Sequence, residues 1–106
     1  MRVLLDACVP QDLRHELDPH ETVTAHYAGL AHLSNGKLLD AMAGAFDVLA
    51  TTDAQLPTQQ NLDGRPLAVI VLRAGGIRLP DLLPLVPSLL RALDDVQPGE
   101  VWIVES

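Results

Sequence analysis

Asp6 and Asp53 are the residues whose type and setting could do chemistry. Each closes a short apolar run, Arg2-Val3-Leu4-Leu5 before Asp6 and Asp47-Val48-Leu49-Ala50-Thr51-Thr52 before Asp53. If both runs are strands of one parallel sheet, the two acids meet at its carboxyl end, where loops emerge and ligands collect. No basic residue neighbours either acid in the chain. Two carboxylates in close approach stay ionised at low cost only when a cation lies between them. A hard cation such as Mg²⁺ or Mn²⁺ suits that position, because it takes one or two carboxylates and keeps several waters. Such an ion can activate water and neutralise charge on a phosphodiester. The same residues have a plainer use as caps of the helices or turns that follow them, and spacing leaves both uses open.

The remaining chemistry-bearing residues give weaker patterns. Arg73 ends an apolar run and lies where it could meet a phosphate or Asp53, or serve as an ordinary surface arginine. Gln59, Gln60 and Asn61 could read bases or hold a partner, although a polar loop needs no such purpose. His15, His20, His26 and His32 are scattered, with neither His-x₃-His nor Cys-x₂-Cys spacing, which argues against zinc. His15 is expected on a polar helix face and His20 in a turn, while His26 and His32 flank a loop that could reach the strand-end cleft. Cys8 reads as a small buried thiol rather than a nucleophile. Gly75-Gly76 reads as a turn, and no glycine-rich phosphate loop is present.

Alternating elements must position the two acids. The first strand spans Arg2 to Asp6 and covers both faces with apolar side chains, as in a parallel sheet. Pro10 suits the first residue of a helix carrying Leu13 and Leu17 on one face, which Pro19-His20 ends. Glu21 to Ala25 is β-branched enough for a second strand. A loop with Tyr27 and Gly29 leads to a helix starting at Ser34, Asn35 or Gly36, with Leu38, Leu39, Met42, Ala45 and Phe46 on its buried side. Asp47 to Thr52 is the third strand. Gln55 to Arg65 is a polar loop with about one helical turn. Leu67 to Leu72 is the plainest strand and is expected to be central. Leu82, Val86, Leu89 and Leu93 mark a last amphipathic helix, compatible with Pro80, Pro84 and Pro87 only if each precedes it or lies in its first turn. Val101 to Val104 is a fifth strand. The alternation predicts an α/β fold, a three-layer α/β/α sandwich on a mostly parallel sheet of about five strands, as a single domain over residues 1–106.

Composition limits the partners. A chain of 106 residues has the size of one domain and can bury about two-thirds of its unfolded surface without staples. Its single cysteine closes no internal disulfide, which suits a reducing compartment. No signal-peptide pattern opens the chain, and its apolar runs are far shorter than the roughly 18–20 residues of a membrane span. A soluble, cytoplasmic protein is expected. The net charge of −7 and three aromatic residues give a weak nucleic-acid footprint, with few platforms for base stacking; the acid surplus also serves solubility.

The chain resembles the small bacterial PIN-like domains, in particular a compact subgroup found as candidate toxins of toxin–antitoxin pairs. The resemblance lies in Leu4-Leu5-Asp6 with Val9-Pro10, Asn35-Gly36 with Leu38-Leu39, Phe46-Asp47-Val48-Leu49 with Thr51-Thr52-Asp53, Leu56-Pro57 with Gln59-Gln60-Asn61-Leu62, and Val69-Ile70-Val71-Leu72-Arg73, in order over most of the chain. It implies a nuclease fold in which strand-end acids hold Mg²⁺ or Mn²⁺ and activate water against RNA, with Asp6 and Asp53 matching two family acids. It also implies a cognate antitoxin, and it makes a homodimer through Trp102 or the apolar last helix a further expectation. The family tends to place an acid directly after the Asn-Gly, where this chain has Lys37. Asp40 is the candidate substitute, either as a third catalytic acid or as a solvated acid paired with Lys37 at i,i+3.

Three functions compete. The first is a metal-dependent ribonuclease toxin. The second is a catalytically degenerate PIN-like module that binds a partner protein, a reading favoured by Lys37. The third is a phospho-accepting receiver domain, disfavoured because Leu5 precedes Asp6, Arg73 stands where a hydroxyl is wanted, and no lysine follows the fifth strand.

Overall fold

The computed structural model describes residues 1–105. Five strands, β1 (Arg2–Leu5), β2 (Glu21–Thr24), β3 (Val48–Thr51), β4 (Ala68–Arg73) and β5 (Val101–Glu105), form one all-parallel sheet in the order β2-β1-β3-β4-β5. Helical segments cover both faces, giving the expected α/β/α sandwich. The middle strand is β3 and not β4, because the chain lays β2 outside β1 before crossing back to the other side of β1. That reversal between β1 and β3 is the switch point at which open parallel sheets form a crevice.

Side-chain alternation sorts the apolar residues into two layers. Val3, Leu5, Val48, Ala50, Ile70, Leu72 and Val104 face Leu13, Leu17, Leu82, Leu85, Leu89 and Leu93. Leu4, Leu49, Val69 and Val71 face Leu38, Leu39, Met42, Phe46, Leu56 and Leu62. Strands buried on both faces explain why these runs are apolar without a break.

The connections depart from expectation in instructive places. After β1 the chain forms a 3₁₀ helix, Gln11–Glu16, rather than an α-helix, and Pro10 precedes it as its cap. The segment around Tyr27 is a turn of helix, α1 (Ala25–Ala28), begun by Thr24 Oγ1 accepting from the Tyr27 amide and ended by Gly29 at φ 76°. The middle helix, α2 (Asn35–Met42), is shorter than its apolar stripe, because Gly44 at φ 81° turns the chain before Ala45 and Phe46 reach the core. One helical turn, α3 (Leu56–Gln59), lies in the polar segment after β3. The three prolines divide the last helical region into α4 (Leu79–Leu82), a 3₁₀ turn (Leu83–Leu85) and α5 (Val86–Asp95), each with its proline at the first or second position, where no helical amide bond is lost.

The β3-to-β4 and β4-to-β5 connections step the same way across the sheet, yet α3 and α5 lie on opposite faces. The two crossovers therefore have opposite hands, an uncommon combination. Its consequence is local: no helix covers β5 on the α3 face, and Val101 and Ile103 stay 41% and 54% exposed. Trp102 points the other way, packs half-buried against the core and donates its indole N–H to Glu100. Among the described residues, no helix is long and apolar enough to cross a membrane.

Candidate active site at the carboxyl end of β1 and β3

The β1–β3 ladder pairs Leu5 with Ala50, and the Asp6 amide extends it by donating to the Ala50 carbonyl at 2.9 Å. This register brings Asp6 beside Thr51. The wholly buried Thr51 hydroxyl donates to Asp6 Oδ2 at 2.7 Å and accepts from the Asp53 amide at 3.0 Å. A hydroxyl has one proton, and here it goes to Asp6, so Cys8 Sγ at 3.5 Å is left to donate its S–H into the same oxygen. One buried hydroxyl thus ties together the ends of both strands.

Each carboxylate makes one local bond and one bond to another element. Asp6 Oδ1 accepts from the Ala7 amide at 2.8 Å, and Oδ2 is held by Thr51. Asp53 Oδ1 accepts from the Gln55 amide at 2.9 Å, and Oδ2 accepts from Asn35 Nδ2 at 3.3 Å. The capping use is therefore real, since Asp53 does cap the turn into α3. It does not exhaust either group: a carboxylate has about four lone-pair sites, and two are taken on each. Both acids are half-buried.

The other candidates divide. Asn35 and Lys37 lie in the first turn of α2, which Asn35 joins to Asp53. Asp40 is strongly exposed and bonds Arg65 at 2.7 Å, not Lys37, which ties α2 to the loop after α3. Lys37 has no carboxylate partner among the described residues. Gln60 approaches the start of α2, its Oε1 lying 3.2 Å from where a Cβ on Gly36 would stand. Asn61 accepts from the Asp63 amide within its own turn, and Gln59 is exposed. Arg73 lies 4.0 Å from Glu105 on the neighbouring strand, not on Asp53. His15 and His32 are exposed. His20 is more than a turn residue: nearly buried, it stands 3.6 Å from Asp94 of α5.

Sequence reasoning missed three members of this cluster. Thr51 reads in the sequence as one more β-branched strand residue, and Asn35 as one of three candidate helix starts. Cys8 is exposed rather than buried, because the chain leaves the sheet at Asp6 and only Val9 turns back into the core.

Among the described residues no group of three or more His, Cys, Asp or Glu is placed to share a metal ion. Zn²⁺, which takes three or four protein ligands, does not fit. Mg²⁺ or Mn²⁺ does fit the donor set, since one or two carboxylates with open lone pairs hold such an ion while water fills the other positions. Comparison with protein-family models, curated proteins and solved structures returns no match.

Proposed function

We propose that this chain is a metal-dependent ribonuclease of the PIN-like class, the toxin of a type II toxin–antitoxin pair, acting in the cytoplasm on RNA with Mg²⁺ or Mn²⁺ held by Asp6 and Asp53. The supporting observation is the buried Thr51 hydroxyl that joins the Asp6 carboxylate to the Asp53 backbone amide at the switch point of the sheet. A cap needs one carboxylate oxygen. Here the second oxygen of each acid is fixed by a residue of another element, a constraint that a turn does not require. A bound Mg²⁺ or Mn²⁺ supplies a Lewis acid that activates water and neutralises charge on the phosphodiester. The protein's own part is to aim both carboxylates, through Thr51, Ala7, Gln55 and Asn35. Arg73, Gln59, Gln60 and Asn61 remain candidates for contact with the RNA. The uncovered Val101 and Ile103 on the edge strand β5 offer apolar surface to the antitoxin or to a second copy of the chain.

One observation favours a second reading, the degenerate module that works by binding a partner. Lys37 stands in the first turn of α2, two residues after the Asn35 that bonds Asp53, and Asp40 is engaged by Arg65 instead of joining Asp6 and Asp53. Incubating a mixed RNA pool with Mn²⁺ separates the two. The nuclease reading expects cleavage by the wild type and a loss of at least about 100-fold in Asp6→Asn and in Asp53→Asn, as for removal of a main catalytic group. A folded wild type that cuts nothing, beside a Lys37→Glu variant that does cut, would move the assignment to the partner-binding module.

A further inference from the structure

Beside the acid pair lies an open cleft of about 520 Å³, lined by Ala7, Cys8, Val9, Pro10 and Gln11 after β1, His26 of α1, and Ile77, Arg78 and Leu79 leading into α4. Cys8 is the shared wall: it lines the cleft, and its sulfur sits 3.5 Å from the Thr51 hydroxyl that binds Asp6. We infer that this cleft holds one nucleotide of the strand whose neighbouring phosphate lies on Asp6 and Asp53, with the base against Ile77 and Pro10 and a phosphate on Arg78. The assignment rests on the nuclease reading for the direction of the strand.

Charge placement supports the assignment most strongly. Of seven Lys and Arg residues in a chain of net charge −7, four stand within 4.0 Å of a carboxylate: Arg2 with Glu21, Arg14 with Asp12, Arg65 with Asp40 and Arg73 with Glu105. Lys37, Arg78 and Arg91 have no such partner among the described residues. Arg91 lies within α5, whereas Lys37 and Arg78 both follow carboxyl ends of strands, one in the first turn of α2 and the other in the cleft. Asp81, the nearest acid in sequence, turns its carboxylate to the Arg78 backbone amide at 3.2 Å. A phosphate chain running from the acid pair into the cleft thus meets the unneutralised Arg78, and backbone contacts of that kind set the register of a strand.

The lining suits a nucleotide in shape and polarity. Ile77 is 58% exposed although large and apolar, and with Pro10 and Leu79 it gives a flat ring an apolar bed. Gln11 meets Thr24 only through its Oε1, at 3.4 Å, which leaves its amide protons free for a base edge. The volume lies within the roughly 300–1,000 Å³ of small-ligand sites.

The test measures binding apart from turnover, by fluorescence anisotropy of a short labelled single-stranded RNA with Ca²⁺ in place of Mg²⁺ or Mn²⁺, an oxygen-seeking cation for the two acids. Arg78→Ala and Ile77→Ser are each expected to weaken binding about five- to tenfold, the size of one lost phosphate or base contact. Arg91→Ala should leave it within about twofold, as expected for a surface cation off the path of the strand. Wild-type affinity in both cleft variants, or no binding by the wild type, overturns the assignment. Displacement by free AMP as readily as by the oligonucleotide would make a mononucleotide the occupant, and would overturn the strand reading too. A wild type that binds through Arg78 and Ile77 but cuts nothing keeps the cleft and rejects the nuclease; one that cuts, with both variants binding normally, does the reverse.

Discussion

Thr51 has one hydroxyl proton to give, and its direction towards Asp6 decides how the surrounding donors are arranged. With that proton committed, the oxygen faces the Asp53 amide and the Cys8 thiol as an acceptor. Thr51→Val keeps the shape but strands the half-buried Asp53 amide and frees one oxygen of Asp6. It should cost about 1–3 kcal/mol, the penalty for buried polar groups left without a partner, while Thr51→Ser keeps the hydroxyl and should recover most of it. Thermal or urea unfolding of the two variants checks this, and equal stability would show that the hydroxyl is not the hub. Asp6 and Asp53 were legible in the sequence because an acid directly after an apolar run is a strand-end acid in any parallel sheet. Thr51, Asn35 and Cys8 were not legible as partners, since which of two β-branched neighbours turns its hydroxyl inward depends on the register between strands 45 residues apart.

At the scale of elements, periodicity read the strands well and the helices less well. β3 and β4 are buried throughout on both faces, apart from the terminal Arg73, so their composition alone identifies them. The 3₁₀ helix after β1 and the single turns α1 and α3 are too short to show a period. Their ends are set by caps such as Thr24 and Gly29. In the last helical region the prolines fixed the boundaries, because each is tolerated only at the start of a helix. Packing then makes the face of α5 unequal. Leu89, 1% exposed, should cost about 2–5 kcal/mol when cut to alanine. Leu83, at 39% exposure in the turn before α5, should cost no more than about 0.5 kcal/mol. Urea titration of both variants checks the contrast, and similar losses would mean that α5 does not dock as described.

At the scale of the whole molecule, alternation along the chain gave the layers and the direction of the strands, but not which face each connection would take. The opposite hand of the β4–β5 crossover is a global outcome, and it leaves one face of β5 open. Global charge was equally ambiguous: −7 argues against a nucleic-acid partner until the pairing of each cation is known, and only then do Lys37 and Arg78 stand out. The proposed site for one divalent cation, held jointly by Asp6 and Asp53, lies where strand order reverses. Calorimetric titration of Mn²⁺ into the wild type, Asp6→Asn and Asp53→Asn tests it most directly. One site per chain is expected in the wild type and at least tenfold weaker binding in each variant, a loss of about 1.4 kcal/mol or more. A wild type that binds no Mn²⁺, or variants that bind it as tightly as the wild type, would contradict the joint site and leave the two acids as caps.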